Sequence, residues 1–239
     1  MSLNAADLTL LGAFQISALA FFLFAFGART VQLRLRQHIN PITLSLGKRG
    51  ILGIVELSLF VVVNLWVLAV LAHALPGLNG LLPAWSQLRL IRSLVAQRAG
   101  VVLTLLAFVI CLAALRALGN SWRLGIDEKQ PGKLVTTGIY RFSRNPIFVF
   151  FDLYFVSAFL LNGTVIFLLF ALFTILNLHC QILQEERFLA QAHGSDYQRY
   201  CRRTCRYATW HWVLGQLFRP PSEKAEQRTA VKAKDTTLR

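Results

Sequence analysis

Residues 147–183 decide the fold of this chain, and they read IFVFFDLYFVSAFLLNGTVIFLLFALFTILNLHCQIL. Asp152 is the single acidic or basic residue in this stretch apart from His179, which is neutral at pH 7. A helix that crosses the hydrocarbon core of a bilayer needs about 20 apolar residues. The stretch is too long for one crossing, and the pair Asn162-Gly163 in its middle is a typical turn signal. The sequence therefore predicts a helical hairpin with spans at 147–161 and 164–183.

Three further apolar runs precede this hairpin, at residues 8–27, 51–73 and 99–118. Of the whole chain, 55% of the residues are hydrophobic and only 15% are charged, which is typical of a protein that is partly solvated by lipid. The sequence predicts an all-α polytopic membrane protein with about five transmembrane helices and a cytosolic C-terminal helical segment. We expect one membrane-embedded domain at 1–219, followed by a polar, disordered tail at 220–239.

The distribution of Lys and Arg predicts the orientation of these spans. The residues before the first run carry none, loop 28–50 carries five, loop 74–98 three and loop 120–146 five, and eleven follow Leu183. Cytoplasmic loops of membrane proteins carry the excess of Lys and Arg. We therefore expect an integral membrane protein with its N-terminus outside and its C-terminus in the cytosol. Because no positive region precedes the first run, we do not expect a cleavable signal peptide.

Loop 74–98, on the outer side in this orientation, is not plainly hydrophilic. Between residues 81 and 95, Leu, Trp, Ile and Val recur at roughly helical spacing, with Arg89 and Arg92 among them. This pattern predicts a helix that lies on the membrane surface, with a short re-entrant segment as the alternative.

The net charge and the positions of the cysteines indicate whether the chain binds nucleic acid, lipid or a metal ion. A formal net charge of +14 would suit a nucleic-acid-binding protein, but the basic residues flank apolar runs, where they face anionic lipid. Cys111 and Cys180 fall inside apolar runs, and Cys201 and Cys205 lack the spacing of zinc ligands. We therefore expect membrane lipids as partners, and neither nucleic acid, a disulfide framework nor a metal ion.

Ionisable residues inside the predicted spans are the candidates for catalysis. Glu56 and Asp152 each lie about six residues into a span that enters from the cytosol, or roughly 9 Å deep at 1.5 Å per residue. His179, in a span that returns to the cytosol, reaches a similar level. Such groups are costly in a bilayer and usually face a cavity or a partner. Alternatively, Glu56 and Asp152 have no catalytic role, and each carboxylate either reaches to the membrane interface or pairs with an arginine of a loop.

The predicted cytosolic segments carry a recognisable arrangement of residues around the hairpin. It reads Gly138-x-Tyr140-x-x-x-Arg144-Asn145-Pro146-x-Phe148 before the hairpin, and Glu185-Glu186-x-x-Leu189-x-x-x-x-Gly194-x-x-Tyr197-x-x-Tyr200-x-x-x-x-x-Arg206 after it. The arrangement resembles the superfamily of isoprenylcysteine carboxyl methyltransferases and phospholipid methyltransferases, over about Leu118 to Arg206. The usual form there is Arg-His-Pro-x-Tyr followed by a Glu-Glu pair.

The resemblance implies an S-adenosylmethionine pocket within residues 119–206. The residues that it implies around the cofactor are Tyr140, Arg144, Asn145, Pro146, Glu185, Glu186, Tyr197, Tyr200 and Arg206. Two positions depart from the usual form, because Asn145 stands in the place of His and Phe148 in the place of Tyr. Asparagine can still form hydrogen bonds with a polar group of a cofactor, whereas Phe148 offers only an apolar wall.

The resemblance also implies a lipophilic methyl acceptor that enters between the spans, with an isoprenylcysteine carboxylate as the favoured type. A phospholipid amine, a quinone-like lipid and a small thiol stay open. A carboxylate attacks the methyl group unaided, whereas an amine or a thiol must first lose a proton, for which Glu56, Asp152 or His179 is the candidate acceptor. Two alternatives to a methyltransferase are a sterol-reductase-like enzyme with a nicotinamide cofactor and a non-catalytic membrane scaffold or transporter.

Overall fold

The structure is a computed structural model, and it describes residues 5–37, 51–75, 77–119 and 133–207. Its five α-helices are α1 (Ala5–Gln37), α2 (Ile51–Ala74), α3 (Leu94–Leu118), α4 (Pro146–Asn162) and α5 (Val165–Arg203). Short 3-10 turns lie at Leu78–Leu81, Ala84–Gln87 and Gly138–Arg141, and these described ranges contain no β-strand. The predicted all-α fold is confirmed, while the tail at 220–239 lies outside the described residues.

Four of the helices contain segments that are long and apolar enough to cross a membrane: Leu10–Leu35, Gly53–Ala74, Leu94–Leu118 and Val165–Arg203. α4 is apolar but has 17 residues, which rise about 26 Å against a hydrocarbon core of about 30 Å. Large apolar side chains such as Phe24, Ile54 and Leu176 are exposed on the outside of the bundle, as expected for helices that face lipid. The membrane character of the chain is supported, and the number of full crossings stays a prediction.

Helices α1 and α3 extend beyond their predicted spans. α1 continues ten residues past the predicted end at residue 27, and its fully buried Leu33 anchors the added turns. The basic and amide residues there are good helix formers, so the end of an apolar run did not mark the end of the helix. α3 begins at Leu94 instead of residue 99, because the Ser93 side chain caps the helix by accepting a hydrogen bond from Ala96 N at 3.5 Å.

The prediction of a surface helix across residues 81–95 is wrong, and no re-entrant helix takes its place. This stretch forms a 3-10 turn after Pro83, then an extended segment, and then the start of α3. The extended segment pairs with the turn of the hairpin: Leu90 N donates to Gly163 O at 2.7 Å, and Val165 N donates to Leu88 O at 3.0 Å. These bonds to another part of the chain satisfy backbone groups that a surface helix would have satisfied internally.

The hairpin turn lies where the sequence placed it. α4 ends at Asn162, Gly163 adopts the left-handed conformation (φ 66°, ψ 18°), and α5 begins at Val165. A Cβ atom on Gly163 would lie 2.2 Å from Ile91 O. Glycine is therefore required here both by the backbone conformation and by the close approach of the extended segment.

Substitution of Gly163 by alanine is expected to destabilise the chain by at least about 1–2 kcal/mol, the cost of the left-handed conformation alone, with the clash against Ile91 in addition. Unfolding of the purified protein in detergent, followed by fluorescence, would measure the change. Gly27→Ala is the matched control, because no atom lies within 4 Å of its added Cβ and alanine favours a helix. Equal stability of the two variants would contradict this account of the turn.

Helices α3 and α4 approach each other closely through small residues. A Cβ on Gly100 of α3 would come within 2.9 Å of Leu161 Cγ on α4. One helical turn further, the buried Thr104 hydroxyl donates to Ser157 Oγ at 2.9 Å. Small residues and buried hydroxyl bonds are typical of helix pairs in membranes, where lipid gives little hydrophobic driving force for association.

An aromatic core joins this helix pair to α1 and α2. The ring of Phe150 stacks on Tyr154 at 5.6 Å, and Trp66 of α2 lies 4.8 Å from Phe155, measured between ring centroids. Phe22 of α1 packs on Phe150 at 6.0 Å. The core fixes the direction of α4, and so it fixes the position of the residues at the start of α4.

The end of the bundle that contains the start of α4, called the site end below, is expected to face the cytosol. Lys133, on the segment that leads into α4, is exposed, and so is Arg89 in the segment between α2 and α3. A membrane-impermeant maleimide should therefore label Lys133→Cys only from the cytosolic side and Arg89→Cys only from the outside, above the labelling of the parent chain. The opposite pattern would reverse the predicted topology.

Candidate functional site

The site end brings the residues before α4 together with the C-terminal part of the described chain. Arg144 N donates a backbone hydrogen bond to Cys205 O at 3.0 Å. The Tyr200 hydroxyl donates to Tyr140 O at 2.6 Å. These bonds hold residues 204–207, which follow α5, across the start of α4.

A change of direction within α5 makes this return possible. The helix is interrupted at Gly194, whose backbone angles (φ 51°, ψ −121°) lie outside the helical range. Glycine adopts this conformation without the cost that a Cβ atom would impose. The residues after it, including Tyr197 and Tyr200, fold back as a second helical piece against the loop before α4.

Glu186 lies at the centre of the contacts at the site end. Its Oε1 accepts from Arg144 Nη2 at 2.9 Å, and its Oε2 accepts from Arg206 Nη2 at 2.8 Å and from Arg206 Nε at 3.1 Å. The side chains of Glu186 and Arg144 are each 12% exposed, and that of Arg206 is 34% exposed. The bond to Glu186 raises the pKa of the Arg206 guanidinium above its ordinary value. One carboxylate thus ties the loop before α4 to the segment after α5.

Replacement of Glu186 by glutamine should destabilise the protein by about 3 kcal/mol, because it leaves two partly buried guanidiniums without their carboxylate. A lower midpoint of unfolding in detergent would confirm the effect. Glu185→Gln is the adjacent control and should unfold like the parent chain. If Glu186→Gln proves as stable as the parent, the two ion pairs do not hold the segments together.

Asn145 and Pro146 complete this junction at the first turn of α4. The buried Asn145 amide Nδ2 donates to Glu186 Oε1 at 3.3 Å and to the Arg206 carbonyl oxygen at 3.2 Å. Pro146 occupies the first helical turn, where its missing N–H costs no hydrogen bond. The asparagine that departs from the usual motif is therefore accommodated as a donor to two acceptors, one of them the glutamate.

The three predicted tyrosines form a buried aromatic wall beside the carboxylates. Tyr140, Tyr197 and Tyr200 are each less than a tenth exposed, and the rings of Tyr197 and Tyr200 meet edge to face at 6.2 Å. Burial, together with the nearby Glu185 carboxylate, raises the pKa of Tyr140 well above its ordinary value. The Tyr140 hydroxyl therefore stays neutral at physiological pH.

The two adjacent glutamates differ in their partners. Glu185 is half-buried, and among the described residues its carboxylate makes no hydrogen bond or ion pair. Glu186 is held by Arg144, Arg206 and Asn145. The structure thus contains one carboxylate that holds the site together and one that has no hydrogen-bond or ion-pair partner among the described residues.

Several polar atoms around these carboxylates lack partners within the described part of the chain. Arg144 Nε and Gln184 Oε1 are each buried without a hydrogen bond among the described residues. Buried polar atoms are nearly always hydrogen-bonded in native proteins, to the protein itself, to water or to a ligand. Donor and acceptor groups therefore stand ready around Glu185 for a polar ligand.

One of the three catalytic candidates, His179, contacts Tyr207, a residue that the sequence did not single out. His179 Nδ1 lies 2.6 Å from the Tyr207 hydroxyl, and the two rings stack with centroids 6.1 Å apart. Burial raises the pKa of Tyr207, and the nearby Asp152 carboxylate raises it further. Asp152 Oδ1 is buried with no hydrogen-bond partner among the described residues. Asp152, Tyr207 and His179 therefore form a polar group beside the Glu186 junction.

Glu56, the third candidate, is fully buried in α2. Two residues further along α2, the Ser58 hydroxyl accepts a hydrogen bond from Asn177 Nδ2 of α5 at 2.6 Å. This bond joins α2 to the part of α5 that carries His179. Glu56 thus lies on the helix that contacts this part of α5, and its role as a catalytic candidate stays a prediction.

No group of three or more His, Cys, Asp and Glu side chains that could hold a metal ion occurs among the residues that the structure describes. Hydrogen bonds and ion pairs join six of the nine residues implied around a cofactor: Tyr140 with Tyr200, and Glu186 with Arg144, Asn145 and Arg206.

Comparison with known families supports the resemblance that the motifs carried. Residues 95–196 match the model of a family described as phospholipid methyltransferase. This family belongs to the integral membrane methyltransferase superfamily, so the resemblance is confirmed over α3, α4 and α5 as far as Asp196. The match begins earlier than the motifs did, and it ends before Tyr197, Tyr200 and Arg206. No curated protein matches the chain.

Proposed function

We propose that this chain, whose residues 95–196 match the phospholipid methyltransferase family, transfers a methyl group from S-adenosylmethionine to a lipid-soluble acceptor. The observation that carries the proposal is the Glu185 carboxylate, which lies near the buried Tyr140 and has no hydrogen-bond or ion-pair partner among the described residues. A ligand with an ammonium, a ribose diol and a carboxylate needs acidic acceptors, basic donors and aromatic walls, and the site end supplies all three.

The residues at the site end fit S-adenosylmethionine in charge and in hydrogen-bonding capacity. Glu185 would accept from the ribose or the ammonium, and Arg144 Nε is available as a donor. Tyr140 and Tyr200 would bound the cofactor with their rings, while Glu186, Asn145 and Arg206 hold the surrounding segments in place. When bound, the cofactor supplies an electrophilic methyl group on a sulfonium.

For the methyl acceptor, we propose a phospholipid amine ahead of the isoprenylcysteine carboxylate that the sequence favoured. An amine at neutral pH is protonated and must lose a proton before its lone pair can attack, whereas a carboxylate needs no base. The buried Asp152 with its unpartnered Oδ1, next to Tyr207 and His179, offers a proton acceptor inside the bundle. The new bond joins nitrogen to the methyl carbon, the carbon–sulfur bond breaks with its electron pair left on sulfur, and the proton goes to the carboxylate.

The roles of the protein are then positioning and exclusion of water. The aromatic core fixes α4 and so the position of Asp152, and the Glu186–Arg206 ion pair holds the segment that carries Tyr207 against α5. A nucleophile held in line with the methyl carbon and the sulfur reacts without the entropy cost of a chance encounter.

Titration of the purified chain in detergent with S-adenosylmethionine and with reduced nicotinamide dinucleotide tests the proposal against its alternatives. Binding of the first ligand alone supports a methyltransferase, binding of the second alone supports a reductase, and binding of neither supports a scaffold. Mass spectrometry of lipid extracts incubated with the enzyme and methyl-labelled cofactor would then identify the acceptor. Label in phospholipid amines is the expected result.

A further inference from the structure

A second concave surface lies beyond the Glu186 junction, between the segment that leads into α4 and the part of α5 around and after Gly194. It has a volume of about 490 Å³. Of the nine residues implied around the cofactor, only Tyr200 lines it. The Tyr200 hydroxyl is already engaged with Tyr140 O. This arginine cleft, as we name it, is therefore distinct from the carboxylate cluster of the proposed methyltransferase site.

The arginine cleft is strongly basic. Arg141, Arg199 and Arg203 line it together with a single carboxylate, that of Asp196. The Arg199–Asp196 ion pair is long, at 3.9 Å, and both side chains are about two-thirds exposed or more, so it contributes little. Arg203 makes no ion pair or hydrogen bond with any side chain in the described part of the chain. The three arginines and the one carboxylate give the lining a formal net charge of +2.

A buried and unpartnered nitrogen provides a second, independent observation. His193 lines the same cleft, and its Nε2 is buried without a hydrogen-bond partner among the described residues. The hydroxyls of Thr136 and Thr204 also line the cleft. The two hydroxyls can donate to a phosphate oxygen and so add to the polar lining that the arginines form.

We propose that the arginine cleft binds a phosphate monoester group. Guanidiniums match phosphate oxygens in pairs of parallel hydrogen bonds, and the net charge of +2 complements a phosphate monoester, which carries about −1.5 to −2 at pH 7. The group belongs either to a lipid headgroup such as that of phosphatidic acid or to a soluble phosphate. The proposal rests on the cleft alone and does not depend on the methyltransferase activity.

Calorimetric titration of the full chain in neutral detergent tests the proposal with three probes: inorganic phosphate, dihexanoyl phosphatidic acid and dihexanoyl phosphatidylcholine. The test variant is Arg199→Gln with Arg203→Gln. Arg202→Gln is the matched control, because this neighbouring arginine is exposed on the same helix and does not line the cleft. Binding of S-adenosylmethionine is measured in parallel on each variant.

The parent chain should bind at least one of the two phosphate monoester probes, and the double variant should bind it at least tenfold more weakly, with Arg202→Gln within twofold of the parent. Tighter binding of phosphatidic acid than of inorganic phosphate assigns the cleft to a lipid headgroup, and similar binding of both assigns it to a soluble phosphate. Three results would overturn the proposal: no binding of either probe, an equal loss in Arg202→Gln, or a parallel loss of S-adenosylmethionine binding in the double variant.

Discussion

Replacing Glu185 by glutamine is expected to weaken binding of S-adenosylmethionine by roughly 10- to 150-fold while the chain still folds. A hydrogen bond to a charged acceptor contributes about 1.5–3 kcal/mol, and each 1.4 kcal/mol is a factor of ten in affinity. The Glu185 carboxylate is half-buried and makes no hydrogen bond or ion pair among the described residues, so its loss removes no contact that holds the fold. Calorimetric titration of the purified variant would measure the change in affinity.

Asp196→Asn is the matched control for this experiment. Asp196 is also an acid of α5, but it is exposed on the far side of the Gly194 interruption and pairs only loosely with Arg199. Its replacement should leave the affinity for S-adenosylmethionine within twofold. If Glu185→Gln binds the cofactor as tightly as Asp196→Asn does, Glu185 is not a cofactor ligand, and the reductase and scaffold alternatives regain support.

The division of labour between the two glutamates could not be predicted from the sequence. Adjacent residues of a helix lie about 100° apart, so the pattern implied that one acid faces a pocket without identifying which. The answer depends on where residues 204–207 return, because Arg206 on that segment captures Glu186. The pairing of segments distant along the chain is a property of tertiary packing, and no local spacing encodes it.

Local sequence signals predicted the structure correctly where a single residue determines the backbone conformation. They failed where a distant segment of the chain competes for the backbone hydrogen bonds. The hairpin turn at Gly163 was predictable, because a left-handed turn between apolar runs favours glycine. The surface helix at 81–95 was not formed, because the hairpin turn offers backbone partners to Leu88 and Leu90. The apolar periodicity of this stretch contains no information about hydrogen bonds to the hairpin turn, so it predicted a helix.

Tyr207 is a residue of the candidate site that local sequence signals could not identify. It stands after the last residue of the motif, in a polar segment with no period, so no sequence signal linked it to His179. The contact arises because the Glu186–Arg206 ion pair brings the residue after Arg206 onto α5. A motif search could locate the acids and the tyrosines of the family pattern. It could not locate Tyr207, because the position of this side chain depends on the ion pair between Glu186 and Arg206.

Asp152→Asn is expected to lower kcat for an amine acceptor by at least about 100-fold, while the dissociation constant for S-adenosylmethionine stays within twofold. Proton transfer by a positioned side chain contributes about 100- to 10,000-fold to the rate, and asparagine cannot accept the proton. Asp152 takes no part in the ion pairs of Glu186, so the substitution leaves those ion pairs intact. Initial rates with methyl-labelled cofactor and a phospholipid amine would measure kcat.

The acceptor itself provides the control for this prediction. With an isoprenylcysteine carboxylate, which carries no proton to remove, the same Asp152→Asn variant should keep whatever rate the parent has. Tyr207→Phe, which removes the hydroxyl at 2.6 Å from His179, should reduce amine methylation less than Asp152→Asn does, because the carboxylate is retained. If the Asp152→Asn variant methylates the amine at the parental rate, the Asp152 carboxylate is not the proton acceptor. An equal loss with both acceptors would mean that Asp152 positions the acceptor, because only proton removal distinguishes an amine from a carboxylate.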